Sequence, residues 1–146
     1  MSGPTDPTEA HFDKGTWGFD GTVWRKLPMV WGYSALWDED LGGTAADVFY
    51  SAQTAAIPAT EVRVLQAVSV RNTTRSCGPV VIYMTRPSGA LVACGYVASL
   101  NTNIPLLVTG TFALGAGDVL WVYVAATQVN DVIQAGVVGY KMAIAL

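Results

Sequence analysis

Residues 79–99, PVVIYMTRPSGALVACGYVAS, give the clearest secondary-structure pattern in the chain. Its two apolar runs, 79–84 and 90–99, are rich in β-branched and aromatic residues, which favour strands over helices. Between them, the cluster Arg86-Pro87-Ser88-Gly89 is typical of a turn. The stretch therefore predicts a β-hairpin.

Similar apolar runs lie on both sides of this hairpin. Glycine and proline interrupt the chain at short intervals, which leaves little room for a helix. The further runs are residues 29–37, 47–52, 59–70, 103–114, 118–126 and 131–146. With the hairpin they make about eight strands, so we expect an all-β fold, an antiparallel β-sandwich or jelly-roll-like body.

Strict alternation in 59–70 predicts the two faces of one strand. One face should carry Val62, Val64, Gln66, Val68 and Val70. The other should carry Arg63, Leu65, Ala67 and Ser69.

A short internal echo suggests how the sheet closes. Val30-Trp31-Gly32-Tyr33 resembles Val137-Val138-Gly139-Tyr140. We expect the first and last strands of the body to be neighbours in one sheet, with the glycines at a bulge or a close backbone approach. The alternative is a chance similarity.

The composition indicates one domain with a partly apolar surface. The chain has 146 residues, of which 51% are hydrophobic and 13% are charged, against a typical ~25% charged for soluble domains. We therefore expect neighbouring subunits to cover part of the surface. The alternative is a small monomer whose surface is built from serine, threonine, asparagine and glycine.

The charge and the tryptophans are concentrated near the N-terminus. Residues 1–47 hold eight acidic and three basic residues, a net charge of −5, and four of the five tryptophans. We expect residues 1–28 to form an extended N-terminal arm that orders against another surface, and residues 29–146 to form the β-sandwich body. The alternative is that the arm packs across its own body as extra strands.

The titratable residues do not form a pattern typical of an active site. His11 is the single histidine and lies in the polar N-terminal stretch. Cys77 lies near two arginines that could lower its pKa, but no histidine is close to it in sequence. It could pair with Cys94 if their strands are neighbours; two free thiols are the simpler expectation. We therefore predict no enzymatic activity, no cofactor and no metal site.

The remaining acidic residues are too scattered for a carboxylate pair. They are Glu61, Asp118 and Asp131, and the last two sit beside turns, as residues at strand boundaries do. The net charge of −3 and the pI of about 4.8 argue against nucleic acid as a partner. For Arg63, Arg71, Arg75 and Arg86, contact with an acidic neighbour is the simpler expectation.

Two features of the whole chain bear on localisation. No apolar run approaches ~20 residues, so we expect no membrane span and no membrane partner. The first residues, MSGPTDPTEAHFDKG, lack the basic lead and apolar core of a signal peptide. We expect the chain to be made in a cytoplasm.

One segment resembles a known family. Gly18 to Leu27 (GFDGTVWRKL) is similar to the GxDGTxWRKL segment near the N-termini of minor structural proteins of tailed bacteriophages, which are decoration or tail-associated proteins. In those proteins the segment leads into a β-rich module. The resemblance implies a virion protein, assembled in the host cytoplasm, and it supplies no catalytic residues.

The arm supplies the candidate partner-binding residues. Asp20-Gly21 favours a tight turn, Trp24 is a large apolar anchor, and Arg25 can make bidentate hydrogen bonds. Lys26 points the opposite way if the segment is extended. The full set is Trp17, Phe19, Asp20, Trp24, Arg25, Lys26 and Trp31. For each tryptophan the alternative is ordinary packing within its own chain.

We therefore expect a capsid decoration (cement) protein. The arm would anchor it to the shell and the body would form a homo-oligomer, most simply a trimer; the major capsid protein or other virion subunits would be its partners. The first alternative is a tail, neck or fibre component that binds a host receptor or carbohydrate through Tyr83, Tyr96 and Trp121, if these face outward. A cellular trimeric sandwich domain and a hydrolase are more remote alternatives.

Overall fold

The computed structural model describes residues 17–19, 24–26 and 34–144. The described strands are, in chain order, β1 (Trp17–Phe19), β2 (Trp24–Lys26), β3 (Ser34–Asp40), β4 (Gly43–Thr44), β5 (Phe49–Gln53), β6 (Glu61–Asn72), β7 (Val80–Thr85), β8 (Leu91–Val97), β9 (Leu106–Leu114), β10 (Val119–Ala125) and β11 (Val132–Ala143).

Two antiparallel sheets form the body. One is four-stranded, in the order β5-β10-β7-β8, and the other is five-stranded, in the order β3-β11-β6-β9 with β4 added to β11. Alternate residues of the central strands are buried between the sheets, which is the arrangement of a sandwich. The core includes Leu65, Val68, Val70, Ile82, Leu114, Leu120, Val122, Val124, Ile133 and Val137.

The sheets are also joined along their sides. β8 contacts β9 along one side, where Gly95 leaves room for Val108, because a Cβ there would lie 2.6 Å from a Val108 methyl. On the other side the Tyr50 hydroxyl donates a hydrogen bond to the Leu41 carbonyl at 2.6 Å. The all-β fold class predicted from sequence is thus confirmed.

The predicted hairpin and the predicted neighbours are both present. β7 and β8 pair antiparallel across the turn at 86–90. β3 and β11, the first and last strands of the body, pair over seven positions from Ser34–Met142 to Asp40–Gly136. Gly139 sits at a register shift between β11 and β6, where a Cβ would overlap the carbonyl oxygen of Val64. Gly32, the other glycine of the echo, lies outside the described residues.

The predicted alternation of 59–70 is wrong in its middle. Leu65 is buried on the core side together with Val68 and Val70, while Gln66 is exposed and Ala67 half-buried. The reason is a register shift between Leu65 and Ala67 against β9, which is a β-bulge. A bulge places two residues opposite one, so the two-residue period changes phase there.

The arm is described only in part. β1 and β2 pair antiparallel as a separate two-stranded sheet, with Phe19 opposite Trp24 and Trp17 opposite Lys26. The predicted tight turn at Asp20-Gly21 falls between these strands and lies outside the described residues, as do His11, Trp31 and most of the predicted 1–28 arm.

Candidate functional site

The outer face of the four-stranded sheet is the candidate site. Its strands alternate buried residues with partly exposed ones, and the exposed positions carry the large aromatic side chains. We define the aromatic face by five of them: Phe49, Tyr83, Tyr96, Trp121 and Tyr123. They come from β5, β7, β8 and β10, so every strand of the sheet contributes.

Strand register holds these rings side by side. Trp121 lies opposite Tyr83, with ring centroids 5.8 Å apart and planes 4° apart. Phe49 stacks on Tyr123 at 5.9 Å and 23°. The indole N–H of Trp121 donates a hydrogen bond to the Thr85 hydroxyl at 3.0 Å. Pairs of this kind contribute about 0.5–1.5 kcal/mol beyond burial, so these four rings hold one another in place without a partner.

The aromatic face is uncharged. The four strands that form it contain no Asp, Glu, Lys or Arg. Two of its rings are well exposed, Tyr96 at 66% and Phe49 at 46%. A contiguous, uncharged aromatic surface of this kind is typical of a binding or assembly interface.

The outer face of the five-stranded sheet is different. It exposes Leu36, Leu107, Val138 and Tyr140, but Asp38, Asp40 and Arg71 lie among them. A shallow concavity of about 560 Å³ crosses it, floored by Ala67, Ser69 and Gly136. We call this surface the mixed face.

The structure brings together the three aromatic residues that sequence analysis named for a carbohydrate site. Tyr83, Tyr96 and Trp121 all face outward on the same sheet. Sequence analysis missed Tyr123, although it follows Trp121 at the two-residue strand period. It also missed Phe49, for which the sequence carries no local signal, because β5 reaches this face only by pairing with distant β10.

The arm residues are only partly placed. The hairpin β1–β2 contains Trp17, Phe19, Trp24, Arg25 and Lys26. Asp20 and Trp31 lie outside the described residues. The role of all seven in partner binding stays a prediction.

Most of the body arginines are used within the chain. Arg63 pairs with Glu39 at 3.1 Å and with Glu61 at 3.0 Å. Its guanidinium also lies 5.3 Å from the ring centroid of Trp37, which is a cation–π distance.

Two further arginines hold turns. Arg86 pairs with Asp118 at 2.8 Å, and Arg75 pairs with Asp131 at 2.5 Å. Arg71 instead donates a hydrogen bond to Gln134 at 2.6 Å. Three of the four arginines assigned to an acidic neighbour thus have intrachain carboxylates, so Arg71 is the one of the set without such a carboxylate among the described residues.

Asp131 is a fully buried carboxylate at the strand boundary where sequence analysis placed it. It accepts hydrogen bonds from the Asn72 amide at 3.0 Å and the Gln128 backbone N–H at 2.9 Å, besides the Arg75 pair. Burial alone would raise the pKa of Asp131. The hydrogen bonds and the Arg75 charge outweigh burial and hold this pKa below its usual value. The cluster ties the 72–77 loop to the start of β11.

The cysteines are both free. Cys77 is buried, and burial raises the pKa of its thiol, helped by the nearby charge of Asp131 and opposed by a hydrogen bond from Asn72. The lowering that the neighbouring arginines suggested is therefore wrong. Burial also raises the pKa of Cys94.

The described residues contain neither a metal-binding cluster nor a candidate membrane helix. Over 17–19, 24–26 and 34–144 there is no group of three or more His, Cys, Asp or Glu placed to hold a metal ion. The same residues include no helix with the length and apolar character needed to cross a bilayer.

Comparison with known proteins bears on the fold alone. No family model matches this chain, and no curated protein matches its sequence. A protein of the Bacillus endospore appendages, described as disulfide-linked pili, is 12% identical with a TM-score of 0.45, over 78% of this chain and 91% of that one. The Drosophila NLP core, described in terms of pentamer formation and histone binding, is 10% identical with a TM-score of 0.43, over 73% and 97%.

A viral protein shows a likeness of the same order. The VP2 subviral particle of infectious bursal disease virus is 10% identical with a TM-score of 0.43, over 87% of this chain and 36% of that chain. These overlaps are partial, and none of them transfers a function to this chain.

Proposed function

We propose that this chain is a structural protein of a tailed-bacteriophage particle, a capsid decoration protein. Its body self-associates, most simply as a trimer, and its N-terminal arm attaches the oligomer to the major capsid protein or other virion subunits. It works by contact alone, without a catalytic step or cofactor. It is assembled on the particle in the host cytoplasm.

The aromatic face is the observation that carries this proposal. Five aromatic rings, four of them in stacked pairs, lie on a sheet without charged residues. Coverage of this surface by another protein releases water from apolar area, which contributes about 25 cal/mol per Å². Tyrosine and tryptophan are the residue types that dominate such contacts. Many identical weak contacts then add over a large shell.

The arm supports the same proposal from the sequence side. The GxDGTxWRKL segment resembles that of phage structural proteins, and its residues Phe19 and Trp24 belong to β1 and β2, which pair as a two-stranded sheet of their own. A protein that binds a lattice needs such a second contact, because two linked contacts bind more tightly than either alone.

Fractionation of intact virus particles tests the proposal directly. Heads and tails are separated, and this chain is quantified in each by mass spectrometry. Hundreds of copies with the heads are expected. A few copies with the tails would make it an adaptor or receptor-binding component, and absence from the particle would overturn the virion role.

The arm is tested by deleting residues 1–28. The shortened protein should no longer bind heads that lack the wild-type protein, and its circular dichroism should stay that of a β-sandwich. The Cys94→Ser variant, changed in β8 of the body, is the control and should bind normally. Unchanged binding of the deletion variant would show that the arm is not the anchor.

A carbohydrate-binding module of a tail or fibre is the second candidate. The observation that favours it is the position of Tyr83, Tyr96 and Trp121 on one outward surface, since aromatic rings with nearby polar groups are used for apolar and mixed ligands. Binding to a glycan array that is lost in Trp121→Ala would favour this function over decoration. An array without signal would exclude the carbohydrate-binding function.

A further inference from the structure

The edge strand β5 has backbone groups that point away from its sheet. The backbone N–H of Thr54 donates to the carbonyl of Leu120 at 2.9 Å. In an antiparallel ladder the residues that bond a given neighbour alternate. The residues of this strand that bond β10 are therefore Tyr50 and Ala52, and the alternate residues direct N–H and C=O outward: Phe49, Ser51 and Gln53.

The hydrogen bonds between β10 and β7 agree with this alternation. Ala125 N–H donates to the Pro79 carbonyl at 2.9 Å, so the odd-numbered residues of β10 bond β7 and the even-numbered ones bond β5. No described strand pairs with the outward groups of β5. The side chains of Phe49, Ser51 and Gln53 are also exposed, so the edge is open to another chain.

The hairpin β1–β2 has open edges of the same kind. Its strands have three residues each and pair only with each other among the described strands. A two-stranded hairpin is marginally stable by itself in water. Its register pairs Trp17 with Lys26, Gly18 with Arg25 and Phe19 with Trp24, so each strand keeps one side of its backbone free for a further strand.

We propose that the hairpin β1–β2 of one copy adds to the β5 edge of a second copy. The four-stranded sheet then continues as β5 followed by the two hairpin strands, and the outward N–H and C=O groups of Phe49, Ser51 and Gln53 gain backbone partners. Among the described strands of one chain, β5 pairs only with β10, and β1 and β2 pair only with each other, so we assign this pairing to a second copy. Each copy gives an arm and receives one, and such a head-to-tail contact closes into a ring when the rotation between copies allows.

One substitution should disrupt this pairing without changing the fold of the body. Ser51→Pro removes an outward N–H and leaves the bonds to β10 intact, and proline is tolerated at edge positions of this kind. Ser51→Ala is the matched control, because it keeps the N–H. The full-length proteins are compared by sedimentation over a range of concentrations, with thermal unfolding as the check on folding.

Wild type and Ser51→Ala should associate equally, and Ser51→Pro should associate roughly tenfold more weakly or worse, since hydrogen bonds of the added strand are lost. Ser51→Pro with wild-type association would overturn the proposal, and so would a wild type that stays monomeric at every concentration.

Amide hydrogen exchange keeps the test decisive if Ser51→Pro does not fold. In the assembled wild type the amides of Phe49, Ser51 and Gln53 should exchange as slowly as those of Tyr50 and Ala52. On dilution to monomer only the first three should become fast. Fast exchange of those three in the oligomer contradicts the proposal, and slow exchange at every concentration indicates that the hairpin docks on its own chain, which also contradicts it.

This inference goes beyond the proposed virion role. It concerns the purified protein alone. Association through β5 without particle binding would support this inference and contradict the decoration role. Particle binding by a monomeric protein would support the decoration role and contradict the pairing through β5.

Discussion

The two sheets of this sandwich have different tasks. The four-stranded sheet pairs β5, β10 and β7 without a break, has one register shift at β7–β8, and presents the uncharged aromatic face. The five-stranded sheet has register shifts on both sides of its long central strand β6, and its β11 begins at the buried Asp131 cluster. The difference suggests that the irregular sheet holds the fold together while the regular sheet presents a surface. Changes at the bulges and at the buried Asp131 cluster of the first sheet should therefore destabilise the fold, and changes on the exposed outer face of the second should affect mainly its contacts.

Gly139→Ala should have the largest effect. Its Cβ would overlap the Val64 carbonyl oxygen, which belongs to the paired backbone and cannot move without breaking the ladder. We expect a loss of about 3 kcal/mol or more in the free energy of unfolding, measured by urea titration.

Gly136→Ala is the matched control in the same strand. The nearest atom to its Cβ is the Glu39 carbonyl oxygen at 3.7 Å, an ordinary contact. Alanine there should be neutral or stabilising by about 0.5 kcal/mol. Equal destabilisation by both variants would show that the bulge tolerates a side chain.

Asp131→Asn should have the next largest effect. The variant loses the Arg75 ion pair and leaves a neutral group in a fully buried network, while Arg75 itself stays partly solvated at 37% side-chain exposure. Hydrogen bonds to charged groups contribute about 1.5–3 kcal/mol each, so we expect a net loss of about 2–3 kcal/mol.

The same variant should change the response to acid. Because the pKa of Asp131 is lower in the folded protein than in the unfolded chain, its charge stabilises the fold fully above the unfolded value of about 4. That stability is lost as the pH falls through the folded pKa. The Tm of wild type should therefore fall more steeply between pH 5 and pH 2 than that of Asp131→Asn. Parallel Tm curves would contradict this assignment.

Sequence patterns predicted the parts of this fold that are local. The composition and turn residues of 79–99 are enough to give β7 and β8. The expectation that the first and last strands of the body are neighbours agrees with the β3–β11 pairing, but Val30 to Tyr33 of the echo that suggested it lie outside the described residues. The bulges could not be predicted from the sequence, because the shift at Leu65–Ala67 depends on the partner strand β9 and not on the alternation of β6 itself. The aromatic face was half predictable: Tyr83, Tyr96 and Trp121 stand out in their strands, but Phe49 joins them only through pairing.

Tyr96→Asp should have the smallest effect on folding and a clear effect on contacts. Tyr96 is 66% exposed, so its replacement should change the free energy of unfolding by no more than about 0.5 kcal/mol. A carboxylate placed on an uncharged apolar interface must be desolvated when a partner covers it, which should weaken self-association or head binding by at least about tenfold. Sedimentation and head binding measure this.

Leu36→Asp is the matched variant on the mixed face, where it is 81% exposed and Asp38 and Asp40 already lie nearby. If the aromatic face is the covered surface, Leu36→Asp should leave both assays unchanged. If Leu36→Asp is the damaging variant and Tyr96→Asp is not, the assignment of surfaces must be exchanged, because coverage by a partner penalises a new charge only where water is removed.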